Sequence, residues 1–163
     1  MQPRMELGVE SAAYRAMLQL ERYVRGSGIN PTLLELIKIR ASQINGCAFC
    51  IDMHTKDARL NGETEQRIYA LNTWRETPFF TPQERAVLAF TEAVTLIAAH
   101  PVSDEIYDEV SCYFSQAEIA NLLMAIVTIN GWNRIAITTR MVPGSYAAQP
   151  LQDRKSTPET LPA

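Results

Sequence analysis

Residues 33–44 carry Leu33, Leu34, Leu36, Ile37, Ile39, Ala41 and Ile44, apolar positions that wrap nearly all the way round a helix. Such a helix is stable in water only if neighbours cover it on every side, so the rest of the chain must supply that cover. Its polar positions, Glu35, Lys38, Ser42 and Asn45, recur at helical spacing and make one narrow stripe. Asn30-Pro31 opens the segment as N-cap and first-turn proline, and Gly46 breaks it.

The covering elements are helical as well. A first helix is expected from about Glu10 to Arg25, stopped by Gly26-Ser27-Gly28. Cys47 opens a helix that runs to Leu60 and stops at Asn61-Gly62, and a shorter one follows from Glu63 to Trp74. Thr81-Pro82-Gln83-Glu84 is a capping box that starts a helix to about Ala99. Ser103-Asp104-Glu105 begins a short helix. Ser115-Gln116-Ala117-Glu118 is a second capping box, opening a long helix whose apolar face holds Ile119, Leu122, Leu123, Ile126, Ile129 and Ile137. No segment sustains the period-2 alternation of a strand. The expected fold is all-α, one bundle of about six or seven helices over residues 1–143. From Pro143-Gly144 the composition changes, and residues 144–163, with Pro150, Pro158 and Pro162, read as a tail that is flexible or orders against another subunit.

At 163 residues with 47% hydrophobic and 20% charged residues, the chain is long enough for one sizeable core. Its formal net charge of −3 gives no electrostatic reason to bind nucleic acid or an anionic membrane. The opening residues Met1-Gln2-Pro3-Arg4-Met5-Glu6 lead into no apolar signal core, and no apolar run reaches the length of a membrane span, so the cytoplasm is the expected compartment.

Three cysteines, Cys47, Cys50 and Cys112, are too few and too uneven for a disulfide framework. A close pair in a reducing compartment points to catalysis or metal binding. On a helix, Cys47 and Cys50 are neighbours at about 5–6 Å, inside the Cα separation of about 4.4–6.8 Å that a disulfide accepts. His54 follows Cys50 by four residues, on the same face, where its imidazole can take the thiol proton. The helix N-terminus favours ionisation of Cys47, and the histidine favours Cys50; local physics leaves the choice of nucleophile even. Zinc is the rival chemistry, since Cys47, Cys50 and His54 are all good ligands, but a fourth would have to come from Cys112, His100 or an acid such as Glu35.

Glu35, Cys47, Cys50 and His54 together fit the pattern E-x(11)-C-x-x-C-x-x-x-H, which resembles the AhpD-like alkylhydroperoxidase branch of the carboxymuconolactone decarboxylase superfamily. The likeness extends through the helical layout to Asn130-Gly131-Trp132-Asn133-Arg134 and excludes the tail. It implies a peroxidase. Cys50 would attack the hydroperoxide, Cys47 would resolve the sulfenic acid to a disulfide, His54 would receive the Cys50 proton and Glu35 would relay it. It also implies a homo-oligomer, a trimer or a hexamer, and a dithiol or disulfide-reductase electron donor, with no cofactor and no metal. One position departs from the pattern: Phe49 stands where some members carry a histidine between the cysteines. The alternatives are a carboxymuconolactone decarboxylase-like lyase, which needs no cysteine pair, a metal-binding protein, and a redox sensor.

Outside this constellation, His100 beside Pro101 is expected to cap a helix or lie at the surface. Cys112, next to Tyr113 and Phe114, is expected to be a small buried apolar residue, and Met17, Met53, Met124 and Met141 to fill the core. For Trp132, Asn130, Asn133 and Arg134, packing and internal hydrogen bonds are favoured over a place in the thiol pocket or in an oligomer contact.

Overall fold

The computed structural model of the chain describes residues 2–5 and 11–148. Seven α-helices follow one another without a strand among these residues: α1 Ala12–Gly26, α2 Pro31–Asn45, α3 Ala48–Leu60, α4 Glu65–Ala70, α5 Pro82–Thr95, α6 Asp104–Ser111 and α7 Gln116–Thr139. The all-α bundle expected from the sequence is the observed architecture.

α2 is the axle. It packs against α3, α5 and α7, and Leu36, Ile37, Ile39 and Ala41 are wholly enclosed. Two apolar clusters divide its cover. Leu36 and Ile39 meet Ala58, Leu71, Trp74, Phe80 and Leu88 on one side. Leu33 and Ile37 meet Val87, Phe90, Val110, Leu122 and Ile126 on the other. Burying a side chain of this size is worth about 1.5–3 kcal/mol, so the axle's apolar positions dominate what holds the bundle together.

The helix ends follow the local chemistry. The side chain of Asn30 accepts from the backbone N–H groups of Thr32 and Leu33 ahead of Pro31, and both capping boxes, Thr81/Glu84 and Ser115/Glu118, are formed reciprocally. Two boundaries differ from expectation. The fourth helix stops at Ala70 and continues as a 3-10 turn, Leu71–Glu76, kinked at Thr73; this brings Leu71 and Trp74, three residues apart, onto the same buried side. α5 ends at Thr95, not near Ala99: His100 precedes Pro101, which disfavours helical backbone there, and residues 96–99 form turns.

Cys112 corrects the reading of a buried apolar residue. It is exposed at the C-cap of α6, with its thiol donating to the Asp108 carbonyl at 3.3 Å. Its aromatic neighbour Tyr113 is exposed as well, because the chain turns out of α6 there. His100 lies at the surface, as expected.

Residues 149–163, and Glu10 where the first helix was expected to begin, lie outside the described residues; α1 starts after its cap Ser11. The described start of the tail lies along α3. The Gly144 N–H donates to Asp52 Oδ2 at 3.0 Å, Lys56 Nζ donates to the Tyr146 carbonyl at 3.0 Å, and the Tyr146 hydroxyl donates to Asp57 Oδ1 at 2.8 Å. No single helix among the described residues is long and apolar enough to cross a membrane.

Candidate active site

The junction between α2 and α3 builds the site. Gly46 takes the left-handed conformation, φ 72°, that closes α2, and Cys47 follows at once as the N-cap of α3. Its sulfur accepts the Cys50 N–H at 3.3 Å. Cys47 and Cys50 are joined as a disulfide, with their Cα atoms 5.4 Å apart. Both sulfur-bearing residues are buried, at 1% and 2% exposure, among Ala41, Phe49, Ile129 and Ala136, with Met53, Trp132 and Met141 at the margin. Phe49 thus contributes an apolar wall and no titratable group beside the sulfurs.

His54 lies one turn beyond Cys50 on α3 and is buried. Its Nδ1 is 2.9 Å from Glu35 Oε2, a contact that joins α2 to α3 across 19 residues of sequence. With a carboxylate on Nδ1, that nitrogen carries the proton and donates, which leaves Nε2 with the basic lone pair. Burial pushes the Glu35 carboxyl up, but the imidazole of His54, through charge and hydrogen bond, and then the charge of Lys38 hold it below the usual carboxylate range. All four residues singled out by the spacing pattern are therefore brought to one buried region.

The structure adds groups that the pattern did not mark. Lys38, enclosed on α2, donates to Glu21 of α1, which also accepts from Arg25 Nε at 3.0 Å. Asp57 is buried one turn after His54 and is bonded to Tyr146. Tyr146 in turn lines a groove of about 660 Å³ on the outer side of α3, together with Lys56, Arg59, Leu60, Ile68 and Tyr69. The only trace of Lys38 in the sequence was its place on the polar stripe of α2. Asp57 and Glu21 left no trace, because their partners are distant along the chain.

The rest of that stripe is satisfied by α7. Asn133 Nδ2 donates to Ser42 Oγ at 2.9 Å, and Asn45 Nδ2 donates to Asn130 Oδ1 at 2.9 Å and to Asn133 Oδ1 at 2.8 Å. Packing and internal hydrogen bonds account for both asparagines, while Arg134 bonds the carbonyl and side chain of Asn130. Trp132 does two things: it meets Tyr14 edge to face at 5.5 Å and packs at the margin of the sulfur cluster.

Glu35, His54 and Asp57 offer oxygen and nitrogen atoms within 4.8 Å of one another, close enough for a divalent ion to gather. The three side chains are engaged in two hydrogen bonds, Glu35 with His54 and Asp57 with Tyr146. The rival zinc set needs both sulfurs as thiolates, and in the disulfide state neither is available. Of the fourth ligands suggested, Cys112 and His100 are exposed, and Glu35 is buried and bonded to His54.

Comparison with known proteins agrees with this architecture. The profile of the carboxymuconolactone decarboxylase family matches residues 11–93. An uncharacterized protein of Bacillus subtilis (strain 168), YdfG, is 51% identical over 123 residues, covering 76% of this chain and 84% of that protein. Among solved structures, a protein of unknown function from Agrobacterium tumefaciens, provisionally described as the antioxidant defence protein AhpD, superposes with a TM-score of 0.86. It is 42% identical, and the match covers 89% of this chain and all of that one. The debrominase Bmp8 superposes with a TM-score of 0.73 over 81% of this chain and 71% of its own, at 22% identity, which is a likeness of fold.

Proposed function

From a chain that belongs to the carboxymuconolactone decarboxylase family, and whose buried cysteine pair lies one turn from a carboxylate-bound histidine, we propose a thiol-dependent hydroperoxide reductase that cycles the Cys47–Cys50 disulfide. The observation that carries the reading is the Glu35–His54 contact. A histidine held through Nδ1 keeps Nε2 as its base, and on α3 it follows Cys50 by one turn, the spacing a thiol needs in order to lose its proton inside an apolar core.

In the reduced enzyme, His54 takes the Cys50 proton. The thiolate attacks the distal peroxide oxygen, the O–O bond breaks, and the leaving alkoxide takes the proton back from His54. Cys50 becomes a sulfenic acid. The Cys47 sulfur then attacks Cys50, releasing water and closing the disulfide. Two thiols and one hydroperoxide give one disulfide, one alcohol and one water. A dithiol donor restores the pair by exchange. The position of Cys47 at the N-cap of α3 supports it as the better leaving thiolate in that exchange. We assign the enzyme to the cytoplasm, where such donors are abundant.

Mass mapping after one equivalent of hydroperoxide tests this. Both Cys47 and Cys50 should be lost as free thiols while Cys112 stays titratable, and Cys50→Ser should abolish turnover with a dithiol reductant. Oxidation without turnover would instead indicate a sensor. Undiminished activity of Cys47→Ser and Cys50→Ser variants on a lactone acid would indicate the lyase.

A further inference from the structure

We propose that Lys38, anchored by Glu21, is a positioning residue: it keeps Glu35 ionised and so fixes His54 in the tautomer whose Nε2 can take the Cys50 proton. This rests on the thiol reading above and deepens it.

Several helices bring groups to bear on Glu35. α1 supplies Glu21 and Arg25, α2 supplies Lys38 one turn after Glu35, and α3 supplies His54 and Asp57. α7 meets the same stripe of α2 with the neutral Asn130 and Asn133. On α5, Glu92 is already bonded by Arg40, Arg75 and Trp74. Besides the imidazole of His54 itself, the positive charges acting on the buried Glu35 are those of Lys38, one turn further along α2, and then Arg25.

The consequence is a matter of one proton. A carboxylate at Glu35 accepts from Nδ1–H and leaves Nε2 as the base. A carboxylic acid there would donate to Nδ1 and drive the imidazole proton onto Nε2, so the histidine could no longer deprotonate Cys50. Burial favours the acid form, and Lys38 opposes it.

A purely structural role explains the arrangement less well. Glu21 already has Arg25 at 3.0 Å, so it does not need a second, fully enclosed cation. A buried ion pair is often replaceable by apolar side chains without loss of stability, so helix packing alone gives no reason to keep one. Placing Lys38 three residues from Glu35 lets its charge serve both carboxylates.

The test uses reduced, 15N-histidine-labelled protein carrying His100→Gln, which leaves His54 as the one imidazole of a chain with two histidines. Nitrogen chemical shifts report the tautomer, and the pH profile of Cys50 alkylation reports the base. The unmutated site should show Nδ1–H. Lys38→Met should shift His54 toward Nε2–H and slow Cys50 alkylation at neutral pH by at least about tenfold, and Lys38→Arg should restore both. The double variant Glu21→Leu/Lys38→Met, which replaces the pair with apolar volume, should behave as Lys38→Met and carries the test if the single variant does not fold. A folded variant of either kind with an unchanged tautomer and pH profile overturns the proposal. Neither readout uses peroxide. A tautomer shift in a protein without peroxidase turnover would sink the peroxidase reading alone, and an unchanged tautomer in an active peroxidase would sink this one alone.

Discussion

Glu21 shows what the interior demands of a single charged residue. Burial pushes its carboxyl up, but Lys38 first and Arg25 next bring it down from 4.5 to about 2. Its ionised form is therefore bound more favourably in the folded chain than in the unfolded one. Because the folded value is the lower, that stabilisation is fully present above about pH 4.5 and is lost as the pH falls towards 2. It amounts to about 3 kcal/mol. Denaturant titrations across this window should show stability falling with pH, and Glu21→Gln, less stable at neutrality, should flatten that part of the slope. Cys112 gives the opposite lesson at the same scale. Its aromatic neighbours suggested burial, but a residue's exposure is set by where its helix ends, and α6 ends there.

At the scale of elements, the α2–α3 corner decides the geometry of the site through one residue. Gly46 has nothing within 4 Å of where a Cβ would stand, so a substitution there costs backbone strain at φ +72° and no clash. Gly46→Ala should lower stability by about 1 kcal/mol, seen as a lower urea midpoint at unchanged slope, and should loosen the register of Cys47. This corner was legible beforehand, since Gly46 after an apolar run and Cys47 before a helical stretch are local signals. So were Asn30-Pro31 and both capping boxes. The Glu35–His54 contact could be foreseen because its spacing fits a recurring pattern. Local signals end where contacts become long-range. Lys38 meets Glu21 across 17 residues, and Tyr146 meets Asp57 across 89. Nothing in the periodicity of either partner says which distant group it will face. The break of the fourth helix at Ala70 was hidden for a related reason, since only tertiary packing requires Leu71 and Trp74 to share a side.

For the whole molecule, α7 carries three exposed apolar side chains, Leu123, Val127 and Ile137. Singly they would be ordinary, but together on one helix they suit contact with another copy of the chain. Were a second copy to cover this face, sedimentation should give a mass above the 18.3 kDa of one chain, and Leu123→Glu/Val127→Glu should return it to the monomer. The near-complete enclosure of Cys47 and Cys50 has a kinetic corollary. A bond shut away from water can be reduced only as often as its surroundings breathe open. As a small dithiol is added in increasing excess, the observed reduction rate should first rise and then level off at the opening rate of that chamber. A variant that thins its wall, such as Met141→Ala, should raise the plateau.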